Sequence, residues 1–208
     1  MNILILFISL ALIFGSACLV SLINTIDYVW LRLAAFIAVN YLNGFIAYAA
    51  MKGMKRKAEI DLTNKRQYLA GCCIGLALAL LIAVIPALCG YSLIGMHRDW
   101  SWVEVLFQLL FCMLVVGPVE EFIFRVYLQE LFVSCLPRNK WIGGVLAALL
   151  FGLLHLINGN LIQVLFAFGI GLIFGFSKYK LKNCGFVGVA VAHGLYDFLI
   201  VITRMLLL

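Results

Sequence analysis

Charge is what this chain has least of. Of its 208 residues only 12% are Asp, Glu, Lys or Arg, and it carries 9 acids, 3 histidines and 3 prolines, against 66% hydrophobic residues and a mean hydropathy of +1.15. A soluble globular domain is roughly 45–50% apolar and about 25% charged, so the composition excludes a soluble fold and makes lipid the solvent. No soluble domain, long polar linker, low-complexity segment or internal repeat interrupts the chain. Its seven cysteines are odd in number, form no CxxC pair and lie mostly inside apolar runs. That pattern argues against a disulfide or cysteine–metal framework and for small residues in helix packing.

What is present is a series of apolar runs long enough to cross a hydrocarbon core, which takes about 20 helical residues. They read at 2–24, 28–50, 68–90, 101–133, 141–157, 161–177 and 185–203. The fold class is therefore all-α, a polytopic transmembrane bundle of about seven spans. Two segments follow: 1–100, with three spans, and 101–208, with four. Splitting the fourth run at Gly117-Pro118 leaves pieces too short to cross alone, so one helix kinked by Pro118 is expected. The first run lacks the basic residues that open a secretory signal and reads as a retained helix. GCCIG (71–75) and GLIFG (171–175) fit the small-xxx-small pattern that lets helices approach closely.

The net charge of +6 is placed by topology and does not suggest a nucleic-acid partner. Lys52, Lys55, Arg56, Lys57, Lys65 and Arg66 fall between the second and third runs. Arg138 and Lys140 fall between the fourth and fifth, and Lys178, Lys180 and Lys182 between the sixth and seventh. These three loops share one side, which the positive-inside rule makes cytoplasmic, together with the N-terminus. The expected location is the cell membrane, multi-pass, with the bilayer itself as a partner.

Against this background, ionisable residues within the runs stand out, because a charge at mid-bilayer costs about 2.5–3.5 kcal/mol on insertion scales and marks function by default. They are Glu120, Glu121 and Arg125 in GPVEEFIFRVYLQELF, His155 in FGLLHLIN, and His193 and Asp197 in HGLYD. At about 1.5 Å per residue, His193 lies roughly 12 Å from the cytoplasmic end of its run, and Glu120 and His155 roughly 20 Å from theirs. Three runs thus bring polar groups to one slab. Glu121 and Arg125, four apart with the acid first, suit an ion pair. Glu120 is rotated about 100° from Glu121 and points elsewhere. Asp197 stands one turn beyond His193, where it can accept the imidazole hydrogen bond and fix the tautomer. An unpaired carboxylate with two histidines forms a set able to activate water. Pro118 is expected to open a wet cleft from the cytoplasmic side.

EEFIFR, FGLLH and HGLYD, in this order and on successive runs, resemble the three motifs of the CPBP family of intramembrane proteases, which includes the type II CAAX prenyl endopeptidases and the Abi proteins: EExxxR, FxxxH and Hxxx followed by Asn or Asp. The resemblance covers residues 101–203, about half the chain. It implies an all-helical membrane protease acting on a membrane-associated peptide or protein, with catalytic residues Glu120, Glu121, Arg125, His155, His193 and Asp197. Glu120 and His155 would activate the water, and His193 and position 197 would hold the oxyanion or orient the site. Asp197 departs from the Asn of the prenyl-protein enzymes, and an ionised carboxylate cannot donate to an oxyanion. Val126 departs from the Gly that often follows the Arg.

Glutamate and histidine are also ligand types for Zn2+, but no HExxH is present. The metal-free mechanism is the expectation, and no cofactor is assigned. A non-enzymatic membrane scaffold or bacteriocin-immunity-type protein of the same fold is the alternative function. A proton-coupled transporter fits less well, because neither a repeat nor paired broken helices are found.

Overall fold

The computed structural model describes residues 3–157 and 159–208. Seven helical rods are formed among these residues: α1 (Ile3–Ile23), α2 (Val29–Gly53), α3 (Lys65–Leu88), α4 (Trp102–Cys135), α5 (Lys140–Leu154), α6 (Leu161–Lys180) and α7 (Phe186–Leu206). They follow the apolar runs to within a few residues, and the chain is an all-helical, multi-pass membrane bundle. Six are long and apolar enough to cross a membrane. The exception is α5, whose 15 residues extend only about 22 Å, short of a hydrocarbon core of about 30 Å. The apolar run outlasts the helix: Leu154 is its last residue, and the amides of His155, Leu156 and Ile157 close tighter turns on the carbonyls of Gly152, Leu153 and Leu154. Asn160 then starts α6 with a capping box in which its side chain and that of Gln163 each accept the other's backbone N–H. Hydropathy cannot distinguish an apolar turn from an apolar helix.

The long α4 is also capped at its start, by a reciprocal pair between Ser101 and Glu104. It runs unbroken through Gly117-Pro118 for 34 residues, about 51 Å of helix, so it must tilt or leave the hydrocarbon. Its continuity depends on a π-helical stretch at Cys112–Val116, immediately before Pro118. A proline ring clashes with the carbonyl four residues back, here that of Leu114, and this carbonyl accepts from the Tyr41 hydroxyl of α2 at 3.3 Å. Pro86 in α3 repeats the arrangement after the π stretch Leu80–Val84. A third π stretch, Phe122–Gln129, carries Arg125.

The helices close on small residues. A side chain at Gly75 of α3 would press to 2.7 Å from the Ala192 carbonyl of α7, so GCCIG is a crossing inside the bundle. The largest buried cluster joins Leu6 and Ile13 of α1 and Ala47 and Met51 of α2 to Phe124 of α4 and Phe151 of α5. It draws on both 1–100 and 101–208. Polar ties reinforce it: the hydroxyls of Ser9 and Tyr127 lie 2.6 Å apart, and Ser16 donates to Asn43 at 2.5 Å.

The ends of the bundle sort by charge. At one end Arg56 donates to the Glu130 carbonyl at 3.3 Å and to Ser134 Oγ, and Lys178 pairs with Glu130. This gathers three basic loops. At the other end Arg204 Nε donates to the Met96 carbonyl at 3.0 Å, and Arg98 N to the Arg204 carbonyl at 3.3 Å.

Candidate active site

The site forms where α4 meets α7. A Cβ on Gly117 would stand 2.5 Å from the Ala190 carbonyl, and one on Gly194 would stand 2.6 Å from the Cys112 carbonyl. Only two facing glycines allow this approach, and it brings the carboxylates just after Gly117 up to His193, the neighbour of Gly194. Among the described residues the six ionisable side chains singled out in the sequence then divide into a dry set and a partly accessible set.

Glu121, Arg125 and His193 are the dry set, with side chains 0%, 0% and 5% exposed. Arg125 Nε lies 3.0 Å from Glu121 Oε2, the expected ion pair. The other carboxylate oxygen, Glu121 Oε1, accepts from His193 Nδ1 at 2.9 Å. Glu121 is therefore shared between the arginine and the histidine. Asp197, expected to orient His193, lies on the opposite ring nitrogen, with Oδ2 3.4 Å from Nε2. The contact that fixes the ring spans 72 positions in the chain and depends on the glycine crossing, so the one-turn spacing of His193 and Asp197 could not reveal it.

Glu120 and Asp197 are more open, 20% and 28% exposed. Glu120 Oε2 lies 3.9 Å from His193 Nε2, so this nitrogen faces two carboxylates and serves them only as an N–H donor. His155 caps the end of α5 and does not lie inside a span. Its Nδ1 donates to the Phe151 carbonyl at 3.0 Å, which fixes the tautomer and leaves Nε2 as an acceptor.

Phe151 joins the three motifs. Its ring lies edge-on to His155 at 4.9 Å between centroids and to His193 at 5.7 Å, and the Arg125 guanidinium carbon stands 5.5 Å from its centre. Two contributors were not read from the sequence. Phe174 covers His193 at 5.3 Å, and its only sequence signal was a place inside GLIFG. Gly117 registered there as part of a kink, not as a close approach.

No group of three or more His, Cys, Asp or Glu side chains among the described residues has the arrangement of a metal site. His193 Nδ1 is already engaged by Glu121, and Nε2 stands 3.4 and 3.9 Å from its two carboxylates. Beside Pro118 lies an open groove of about 360 Å3 lined by Tyr41, Tyr48, Phe122 and Phe186 among others. It is apolar and not the wet cleft expected there, because the helix faces that meet at Pro118 carry aromatic and aliphatic side chains.

Residues 101–199, just under half of the chain, match the family described as type II CAAX prenyl endopeptidase Rce1-like. In this region the chain is similar to the CAAX protease-like family. The matched region begins at the cap of α4 and ends beyond Asp197, so it contains all three clusters of ionisable residues. No curated protein and no solved structure matches the chain. The family is one of membrane proteases, which makes proteolysis the general activity to which the site's geometry has to be related.

Proposed function

We propose that this protein is an intramembrane endopeptidase of the cell membrane that hydrolyses a peptide bond of a membrane-associated protein or peptide, with Glu120 as the general base. The observation that carries this reading is the contrast within one pair of neighbours. Glu121 is fully buried with both oxygens engaged, whereas Glu120 is partly accessible and meets His193 only at 3.9 Å.

Glu120 takes a proton from a water whose oxygen attacks the scissile carbonyl carbon. His155 Nε2, left as an acceptor by the bond from Nδ1 to Phe151, orients this water. His193 Nε2–H faces the reacting centre as a donor for the oxyanion. When the tetrahedral intermediate collapses, the C–N bond breaks and Glu120 returns its proton to the leaving amine. Asp197 remains an acceptor and acts through His193. The apolar groove beside Pro118 suits a lipid-facing stretch of substrate.

Turnover of a reporter peptide in liposomes tests the assignment. Glu120→Gln keeps size and polarity, so the variant should fold and bind peptide yet lose cleavage by about 10²-fold or more. His155→Ala should lose activity similarly. Near-normal cleavage by Glu120→Gln rejects the mechanism, and chelator inhibition reversed by Zn2+ would replace its metal-free form.

A further inference from the structure

The main chain of Arg125 is held by a side chain from another helix. Arg125 lies in the π-helical stretch Phe122–Gln129 of α4, a pattern in which each N–H reaches the carbonyl five residues back. At the end of this stretch the pattern fails, because the Glu130 N–H turns to the Tyr127 carbonyl, three residues back, and not to that of Arg125. The Arg125 carbonyl takes a donor from α6: Lys178 Nζ donates to it at 3.0 Å. The same ammonium pairs with the Glu130 carboxylate.

Burial and register both set Lys178 apart from its neighbours. In the sequence it counted only as one of three basic residues that mark topology, yet Lys180 and Lys182 are exposed, whereas the Lys178 side chain is 11% exposed against 43% for Glu130. A largely buried ammonium requires acceptors, and a hydrogen bond from a charged donor contributes more than a neutral one. Phe174 stands four residues before Lys178, on the same face of α6, and its ring covers His193 at 5.3 Å. Between them, the Gly175 carbonyl accepts from Gln129 Nε2 of α4 at 3.2 Å. One face of α6 therefore meets both ends of the buried series Arg125, Glu121 and His193.

We propose that Lys178 is a positioning residue for the hydrolysis described above, acting through the main chain of Arg125. By holding the Arg125 carbonyl it fixes the turn that keeps Arg125 Nε on Glu121 Oε2, and so keeps Glu121 Oε1 on His193 Nδ1. The opposite ring nitrogen, Nε2, is then aimed at the reacting centre. The hold of Lys178 on the His193 ring stands apart from the catalytic reading, whereas its use in hydrolysis rests on it.

The Nδ1–H signal of His193, read by NMR on the full-length protein in nanodiscs, tests this hold without any activity. In the wild type it is expected as a downfield proton protected from exchange, because the ring is 5% exposed and bonded to Glu121. Lys178→Met keeps the apolar stem and removes the charged donor, so the signal should shift or broaden, and Lys178→Arg, which keeps a charged donor, should restore it. Glu130→Gln removes the ion pair but leaves the bond to the carbonyl, so the signal should stay in place. Absence of the signal in the wild type, an unchanged signal in Lys178→Met, or an equal change in Glu130→Gln overturns the hold. Should Lys178→Met not fold, Lys178→Gln, which keeps polarity without charge, is read in the same way.

Peptide turnover tests the use in hydrolysis. Lys178→Met should lower kcat about tenfold at unchanged KM, Lys178→Arg should recover most of the loss, and Glu130→Gln should stay within about threefold of the wild type. If Lys178→Met matches the wild type, or if it and Glu130→Gln lose activity equally, the positioning role is wrong. A wild type without protease activity ends the catalytic reading and with it the positioning role, while the NMR signal still decides whether Lys178 holds the ring.

Discussion

Glu121 has two charged or polar partners and no solvent, which gives its removal a distinct signature. Glu121→Ala strands the guanidinium of Arg125 and frees the ring of His193, and Arg125→Ala strands the carboxylate. Breaking a buried ion pair by removing one partner costs about 3–5 kcal/mol. Both variants should therefore melt well below the wild type in detergent, whereas Glu120→Gln should melt near it. Differential scanning fluorimetry reads the difference, and unchanged melting in both pair variants would refute the buried pair. The adjacent acids thus separate into one that is buried and paired and one that is partly accessible, as the proposed mechanism requires.

Among the helices, α1 reaches α4 through a buried hydrogen bond between Ser9 and Tyr127. Tyr127 lies two residues beyond Arg125, within the same π-helical stretch of α4. Interhelical hydrogen bonds in membranes contribute about 0.6 kcal/mol on average and 1–2 kcal/mol in model peptides. Tyr127→Phe and Ser9→Ala should each lower stability by about 1 kcal/mol, and the double variant should lose no more than either alone, because one contact is removed in every case. Additive losses in denaturant unfolding would mean that the two hydroxyls act independently. The crossing of α4 and α7 is less tolerant. Gly117→Val puts a branched side chain where backbone atoms already lie within 3.1 Å of a Cβ, so it should separate Glu121 from His193 and abolish activity even where the helices still form.

The whole bundle gathers Arg56, Lys178 and the loops beside them at one end, and Arg98 and Arg204 at the other. The positive-inside rule places the first end in the cytoplasm. Cys135 lies exposed at that end and Cys89 exposed at the opposite one. Single-cysteine variants in sealed cells should therefore react with an impermeant thiol reagent at Cys89 but not at Cys135, and the pattern should reverse in inverted vesicles. Labelling of Cys135 from outside would invert the topology. Cys184 is close to a basic loop but buried, so it does not report on either side.

Composition, apolar run length and the positions of lysine and arginine were enough to read an all-helical membrane bundle, because in lipid every backbone polar group must be satisfied within a helix. Spacing was enough to pair Glu121 with Arg125, because helical rise and twist are local properties. The rest depended on contacts between helices. The short α5, the glycine crossing of α4 and α7 and the ring of Phe174 over His193 leave no local periodic signal. The second partner of His193 shows the reason. A one-turn spacing offers Asp197 to the ring in any isolated helix, and it is found on Nε2, but Glu121 reaches Nδ1 only when α4 and α7 meet.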